Sequence, residues 1–266
     1  MLKNIKTIFF TAVKLTIFAF LLLILFIVGF KYLPKEQQDT IHNFCRNFTP
    51  APFESISSSM FIGKACDADP RVQNAICKNA VILDGNITKN MYEDLKSAIK
   101  RDQLPNKLIC LRSRGGVTQA AEAISDLIRT HQLDTCLSEY VEYDQAYSSV
   151  TSNFAAITKQ THSDVMCDSA CPFILISGKN RIALGDDFKL RLHSSSSPRY
   201  LCVTTIYESS NLDKGNPLLD VVNKSPAEQQ AKHQMLYQRS LLTNFKKLDE
   251  VSHDDFEKYA IFNLKP

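Results

Sequence analysis

The sequence contains little glycine and proline, with 8 and 10 among 266 residues, and shows no recurring period of twenty to fifty residues. Collagen-like, low-complexity and repeat architectures are therefore excluded. The body of the chain also lacks net charge. Three of the 31 basic residues and no acidic residue precede residue 31, which leaves 28 basic against 28 acidic residues. Without an excess of lysine and arginine to neutralise phosphates, nucleic acid is not an expected partner.

Spacings typical of metal sites are missing too, because no paired CxxC or HxxxH pattern occurs. We therefore expect neither a metal ion nor a cofactor. The eight cysteines lie at positions 45, 66, 77, 110, 136, 167, 171 and 202, and an even number suits disulfides in an exported domain. Cys66 and Cys77 are a plausible local pair. Cys110 lies in an apolar, strand-like run, and it is expected to be a buried free thiol.

The strongest single signal is an apolar segment near the N-terminus. Residues 15–30 are uncharged and almost wholly apolar, and residues 8–13 extend the run upstream. With the Lys14 ammonium reaching the interface, the combined run is long enough to cross a hydrocarbon core of about 30 Å. The lysines before residue 31 favour an N-terminus on the inner side. We predict a single transmembrane anchor over residues 1–33 with the remaining chain outside; a cleaved secretory signal is the alternative.

Beyond the anchor, the chain divides into an irregular segment and a folded domain. Residues 34–74 are polar, contain prolines and a serine cluster, and indicate a stalk or cap. The domain is expected over residues 75–266. Its first part alternates apolar runs at 80–83 and 107–111 with two amphipathic helices, the first capped by Thr88. This order predicts a parallel βαβα unit and hence an α/β fold.

A serine and a histidine are the candidate catalytic residues. Ser169 stands where a polar turn gives way to an apolar helix, with Pro172 near its first turn. Free backbone N–H groups at such a junction can stabilise an oxyanion. His193 ends the second of two strand-like runs and can act as general base once the chain folds back. Taken singly, Ser169 can also be a helix N-cap and His193 an exposed loop residue.

Four short segments occur in a fixed order along the chain: residues 83–87 (LDGNI), 113–117 (SRGGV), 169–178 (SACPFILISG) and 191–193 (RLH). Taken together, they resemble the proteolytic subunit of the Clp protease and the wider Clp/crotonase superfamily, most of all membrane-anchored members of the bacterial envelope. In the same order, they resemble the family's first strand and turn, its glycine loop, its nucleophile helix and its histidine strand. The resemblance covers residues 80–194, under half of the chain, and implies a Clp/crotonase-like spiral of βαβ units.

The resemblance also assigns roles to single residues. It implies Ser169 as nucleophile and His193 as general base, with the backbone N–H groups of Gly116 and Ala170 as oxyanion donors. The loop at Gly115 and Gly116 would also hold an extended substrate backbone by strand-like hydrogen bonds.

The third member of the expected triad does not match the family. Leu248 occupies the position that aligns with the family's aspartate. We nominate its neighbour Asp249 as the residue that orients His193, with Asp220 and Asp213 behind it. A Ser-His dyad is the alternative.

Two further features depart from the family. Residues 142–164 form an insertion before the Ser169 turn, which predicts a lid, a substrate gate or an inert surface loop. Cys167 and Cys171 flank Ser169 and are expected to form a disulfide with each other or with a partner such as Cys136, which would fix the turn. A Cys171 nucleophile is the alternative.

The predicted function is that of a serine endopeptidase anchored in the inner membrane. Its domain would face the periplasm and hydrolyse peptides or unfolded proteins through an acyl-enzyme, either as a monomer or as a homo-oligomer. The principal alternative is a non-catalytic binding or assembly protein with the same fold. Two lesser alternatives are an acyl-CoA enzyme and a Ser-Lys peptidase that uses Lys179 or Lys189.

Overall fold

A computed structural model of the chain describes residues 32–46, 58–200, 205–209 and 216–264, together with residues 21, 29 and 30. The chain divides into two units. The first comprises Met1–Ala51 and Ser197–Glu208, and the second comprises Pro52–Ser196 and Ser209–Pro266. All the predicted catalytic residues that are described belong to the second unit.

The predicted membrane anchor, residues 1–33, lies mostly outside the described residues, which include only positions 21, 29, 30, 32 and 33 of it. Within the described part of the chain, no helix is both long and apolar enough to cross a membrane. The anchor therefore stays a prediction.

The helices and strands alternate in the first half of the second unit and then become irregular. Those with defined bounds are, in chain order, α1 (Lys35–Arg46), β1 (Ser58–Cys66), β2 (Cys77–Gly85), α2 (Lys89–Lys100), a 3₁₀ turn (Pro105–Lys107), β3 (Leu108–Arg112), α3 (Thr118–Thr130), β4 (Asp134–Ser138), β5 (Tyr140–Ser148), β6 (Asn153–His162), β7 (Met166–Asp168), α4 (Cys171–Leu175), β8 (Arg181–Leu184), β9 (Lys189–Leu192), β10 (Ser196–Tyr200), β11 (Thr205–Ser209), α5 (Pro217–Asn223), α6 (Ala227–Leu242), β12 (Asp249–Glu250) and α7 (Asp255–Lys258).

The main sheet has seven strands in the order β6-β5-β1-β2-β3-β4-β8. Strands β2, β3, β4 and β8 run parallel to one another, whereas β1, β5 and β6 add to the β2 edge in antiparallel pairs. The architecture is therefore mixed α/β, as the sequence predicts. Parallel strands with near-continuous apolar character are buried on both faces, and β2 and β3 have this character in the sequence.

The predicted βαβα unit is confirmed. The Thr88 hydroxyl caps α2 by accepting the Met91 N–H at 3.2 Å, which satisfies one of the free donors of the first turn. Helix α2 then buries an apolar stripe that includes Leu95 and Ala98. Burial of such side chains stabilises the fold by about 1.5–3 kcal/mol for each large one.

Two regions of the sheet differ from the sequence interpretation. Strand β1 lies within residues 34–74, the segment interpreted as a stalk or cap, and nevertheless pairs with β2 along its whole length. The insertion at residues 142–164 forms most of the β5–β6 hairpin, which extends the sheet beyond β1. Its Tyr143 is only 1% exposed and stacks on Phe61 of β1. The insertion is therefore part of the sheet and not an irregular loop.

A second, three-stranded sheet has the order β12-β9-β7. Strands β7 and β9 are parallel, with Asp168 opposite Arg191, and β12 pairs antiparallel to β9, with Asp249 opposite Leu192. A single bridge between Ser113 and Cys167 joins β7 to the chain that leaves β3. This sheet therefore brings the segments around residues 113, 168 and 192 together.

Three disulfides lie within the described residues. Cys66–Cys77 confirms the predicted local pair, and Cys167–Cys171 is one of the expected pairings around Ser169. The expectation of a free thiol at Cys110 is wrong, because Cys110 is bonded to Cys136. Register explains this pair: the two residues lie directly opposite each other on β3 and β4, with Cα atoms 4.4 Å apart.

His233 is the buried titratable side chain of α6, with no exposed surface. Its Nε2 contacts the Ala260 carbonyl at 3.2 Å, and its Nδ1 contacts the Ser225 hydroxyl at 2.8 Å. Because a carbonyl only accepts, Nε2 carries the proton and the neutral ring is satisfied on both sides. Burial lowers the pKa of His233 from 6.5 to about 4, and the charge of Arg181 acts in the same direction.

We expect His233 to make the fold acid-sensitive. His233 binds a proton near pH 6.5 in the unfolded chain and near pH 4 in the folded protein. The contribution of the neutral ring to the free energy of unfolding is therefore complete above pH 6.5 and is lost as the pH falls towards 4. Between pH 7.5 and pH 5 the free energy of unfolding should fall by about 2 kcal/mol more in the wild type than in His233→Gln. Urea titrations measure this difference. The exposed His131→Gln is the control, and parallel pH profiles for wild type and His233→Gln would contradict the prediction.

Candidate active site

The candidate site lies where three parallel strands end. Strands β3, β7 and β9 end at Arg112, Asp168 and Leu192, and the residues that follow are Ser113, Ser169 and His193. The carboxyl ends of parallel strands are the usual location of α/β binding sites. The fold therefore places the sequence-predicted serine, histidine and glycine loop at one edge.

Ser169 has an unusual backbone conformation for a residue with a side chain. Its φ is +61°, in the left-handed region, which costs about 1–3 kcal/mol for a non-glycine residue. Its N–H donates to the Arg191 carbonyl at 2.9 Å, so the turn leaves β7 while still bonded to β9. A serine on a strained strand-to-helix turn presents its hydroxyl outward, which is the geometry of a nucleophile elbow.

The glycine loop packs directly against Ser169. Gly115 has a φ of +89°, and a Cβ at this position would lie 2.8 Å from the Asp168 carbonyl oxygen and 2.9 Å from the Ser169 Oγ. No side chain fits there without displacing the serine. On the other side of the loop, the Ile87 N–H donates to the Gly115 carbonyl at 2.8 Å, and the Val117 N–H donates to the Ile87 carbonyl at 2.9 Å.

Two backbone N–H groups close to Ser169 are the candidate oxyanion donors. Among the residues that the structure describes, neither the Gly116 N–H nor the Ala170 N–H donates a hydrogen bond. Gly116 directly follows Gly115, which packs against Ser169, and Ala170 directly follows Ser169. The tetrahedral intermediate of an acyl transfer needs N–H donors that have no other acceptor.

The hydrogen bonding of His193 fixes its tautomer. Its Nδ1 lies 2.7 Å from the Ser194 carbonyl oxygen, and because a carbonyl only accepts, the proton is on Nδ1. In the neutral form of the ring, the other nitrogen, Nε2, is then the acceptor. No hydrogen bond between His193 and Ser169 is present among the described residues. Such bonds are often long in free enzymes and shorten when substrate binds.

A buried ion pair sets the register between the strands that carry Ser169 and His193. Arg191 donates to both Asp168 oxygens, at 2.8 Å and 2.7 Å, and Asp168 is only 2% exposed. The hydrogen bond to Asp168 raises the pKa of Arg191. Sequence reasoning missed this pair, although Asp168 is the one charged residue of β7 and Arg191 lies between the two leucines of β9, which was a usable signal.

Another Arg-carboxylate contact holds the end of β3. Arg112 donates to both oxygens of Asp84 at 3.0 Å and to Asp164 at 2.7 Å. The Tyr143 hydroxyl also donates to Asp84, at 2.8 Å, and burial raises the pKa of Tyr143. These bonds fix the point at which the glycine loop begins.

Asp249 lies beside the histidine strand, but its carboxylate has another partner. It pairs with Leu192 in the sheet, one residue before His193. Its two oxygens accept from Arg239 Nε at 2.6 Å and Nη2 at 3.1 Å. Of the other nominated residues, Asp220 is exposed on α5, and Asp213 lies outside the described residues. The orienting role of Asp249 stays a prediction.

The cysteines on either side of Ser169 are bonded to each other. Cys167 and Cys171 have no exposed surface, and their Cα atoms lie 5.1 Å apart. Position 171 therefore offers no free thiol to act as a nucleophile. Among the described residues, no group of three or more His, Cys, Asp or Glu side chains could hold a metal ion.

Comparison with known proteins adds no further information. No protein family matches this chain, and no curated protein matches it significantly.

We predict that Gly115→Ala abolishes the reactivity of Ser169 towards a fluorophosphonate, because the new Cβ would occupy the place of the serine side chain. The labelling rate should fall by about 100-fold or more, as expected for a displaced nucleophile. Gly185→Ala is the matched control: Gly185 also has a left-handed φ, of +80°, but the three atoms nearest to its Cβ would all belong to the Glu139 side chain. Equal loss in both variants would contradict the prediction.

Proposed function

We propose that this protein is a serine peptidase with a Clp/crotonase-like fold, which hydrolyses peptides or unfolded proteins through an acyl-enzyme. One observation carries the proposal: Ser169 lies in a left-handed turn against Gly115, directly after β7, and His193 directly follows the parallel neighbour β9. Three chain segments far apart in sequence supply a hydroxyl, free N–H groups and an unprotonated imidazole nitrogen at one sheet edge.

The mechanism follows from these groups. The Ser169 Oγ attacks the scissile carbonyl carbon while His193 Nε2 takes the hydroxyl proton. The Gly116 and Ala170 N–H groups stabilise the oxyanion of the tetrahedral intermediate. Collapse of this intermediate breaks the C–N bond, and His193 gives its proton to the leaving amine. Water then attacks the acyl-enzyme by the same route in reverse, which releases the acid and restores Ser169.

The Ser194 carbonyl supplies the orienting contact that a third triad residue gives in other serine hydrolases. It accepts the Nδ1 proton, which keeps Nε2 basic and fixes the ring. It carries no formal charge, so it stabilises the imidazolium less than a carboxylate would. Because Asp249 is bound by Arg239, these contacts favour the Ser-His dyad over a triad that includes Asp249.

The disulfides support a location outside the cytosol. Three pairs occur within the described residues, and such bonds persist in oxidising compartments. Together with the apolar segment at residues 8–30, they support a tether in the inner membrane and a domain in the periplasm.

A non-catalytic binding protein of the same fold is the second candidate. The observation in its favour is that no hydrogen bond joins Ser169 to His193 among the described residues. The Ser-Lys alternative has less support, because Lys189 pairs with Met166 at the start of β7 and not with the segment at Ser169.

Fluorophosphonate labelling separates these candidates. We expect the oxidised wild type to be labelled at Ser169 and Ser169→Ala to give no label, because the probe mimics the acyl-transfer transition state. His193→Ala should lower the labelling rate and the hydrolysis of casein by a factor of about 10⁴. Controls are Ser149→Ala and His131→Ala, which remove an exposed serine and an exposed histidine. A folded wild type without label would support the binding protein.

The role of Asp249 is tested by Asp249→Asn. Because its carboxylate is bound by Arg239, we expect kcat/KM to change by less than about tenfold, against a loss of about 10⁴ for a true triad aspartate. Arg239→Gln is the matched variant, since it breaks the same pair from the other side. A loss near 10⁴ in Asp249→Asn alone would show that Asp249 orients His193.

A further inference from the structure

We propose that the Cys167–Cys171 disulfide is a positioning element for Ser169, so that the serine is reactive only while this bond is closed. This inference rests on the proposed function. It adds a redox requirement that links peptidase activity to the compartment in which the protein resides.

The bond joins two fixed elements across the reactive turn. Cys167 lies within β7, opposite Leu190 of β9, and also bridges Ser113. Cys171 is the first residue of α4. Only Asp168, Ser169 and Ala170 lie between them, so Ser169 is the central residue of a closed five-residue loop.

The residues around Ser169 are held, whereas the serine itself is in an unfavourable conformation. Asp168 is fixed by Arg191, and Ala170 has no exposed surface. Among residues 167–171, Ser169 alone has a positive φ. A non-glycine residue keeps this conformation only where its surroundings enforce it. With the disulfide open, the Ser169 N–H bond to the Arg191 carbonyl remains as the main restraint, and rotation to a negative φ would move the hydroxyl away from Gly115.

The other two described disulfides are placed differently. Cys66–Cys77 closes the β1–β2 hairpin at the start of β2, whereas the candidate site lies at the opposite ends of the parallel strands. Cys110–Cys136 crosslinks β3 and β4 within the core. Removal of Cys66–Cys77 is therefore the matched control for the general loss of a crosslink.

Opening requires a small dithiol as reductant. Its thiolate attacks one sulfur of the bond, its second thiolate resolves the mixed disulfide, and the products are the Cys167 and Cys171 thiols and the cyclic oxidised reductant. Two electrons pass from the reductant to the protein. Because both sulfurs are buried, the reaction needs local opening of the turn, and activity should be lost slowly and return on reoxidation.

The test compares the oxidised wild type with Cys167→Ala/Cys171→Ala and with Cys66→Ala/Cys77→Ala. We expect the first variant to label with fluorophosphonate about 100-fold more slowly, as displacement of a reacting group predicts. Its kcat on casein should fall with KM unchanged, since substrate binding along the glycine loop is retained. The Cys66→Ala/Cys77→Ala variant should label at the wild-type rate, even if its melting temperature falls by more than that of Cys167→Ala/Cys171→Ala.

The outcomes separate this inference from the proposed function. Wild-type labelling at Ser169 with an equal rate in Cys167→Ala/Cys171→Ala overturns the inference alone. A folded, oxidised wild type that never labels overturns both. If the double variant does not fold, the wild type is treated with dithiothreitol and then reoxidised, with near-UV circular dichroism as the measure of folding. Loss and recovery of labelling at constant fold supports the inference, and constant labelling after confirmed reduction of this bond overturns it.

Discussion

The buried pair between Asp168 and Arg191 is the interaction on which the candidate site depends. It joins β7 to β9 at Asp168, directly before Ser169, and at Arg191, two residues before His193. A charge pair with little exposure contributes to stability only if its geometry satisfies both partners, and removal of one partner leaves a buried charge. The pair therefore allows one alignment of the two strands. The placement of the hydroxyl relative to the imidazole follows from that alignment.

The same sheet edge combines rigidity with local strain. Gly115 supplies a surface without a side chain, the disulfide between Cys167 and Cys171 closes the turn, and the Ser194 carbonyl holds the imidazole ring. Each contact restricts one group that acyl transfer would use. Active sites commonly retain residues with a strained backbone where the surrounding contacts hold that conformation in place. Ser169 is the strained residue at this edge.

The sequence predicted the elements whose signals are local. The cap at Thr88, the βαβα unit and the Cys66–Cys77 pair each depend on residues close together in the chain. It did not predict features that depend on pairing between distant segments. The Cys110–Cys136 bond needs the register of β3 against β4, and β1 looks irregular until it is paired with β2. For the site, the serine, the histidine and the glycine loop came from short motifs, but Arg191 as the partner of Asp168 required the fold.

The length of β7 limits the insertions and deletions that the sequence can accept next to Ser169. The strand has only three residues, and successive side chains point to opposite faces. Cys167 faces one side, where it meets Cys171, and Asp168 faces the other, where it meets Arg191. Insertion or deletion of one residue here would exchange these faces and separate both partners at once. The spacing from 166 to 171 therefore cannot change by a single residue without loss of both contacts.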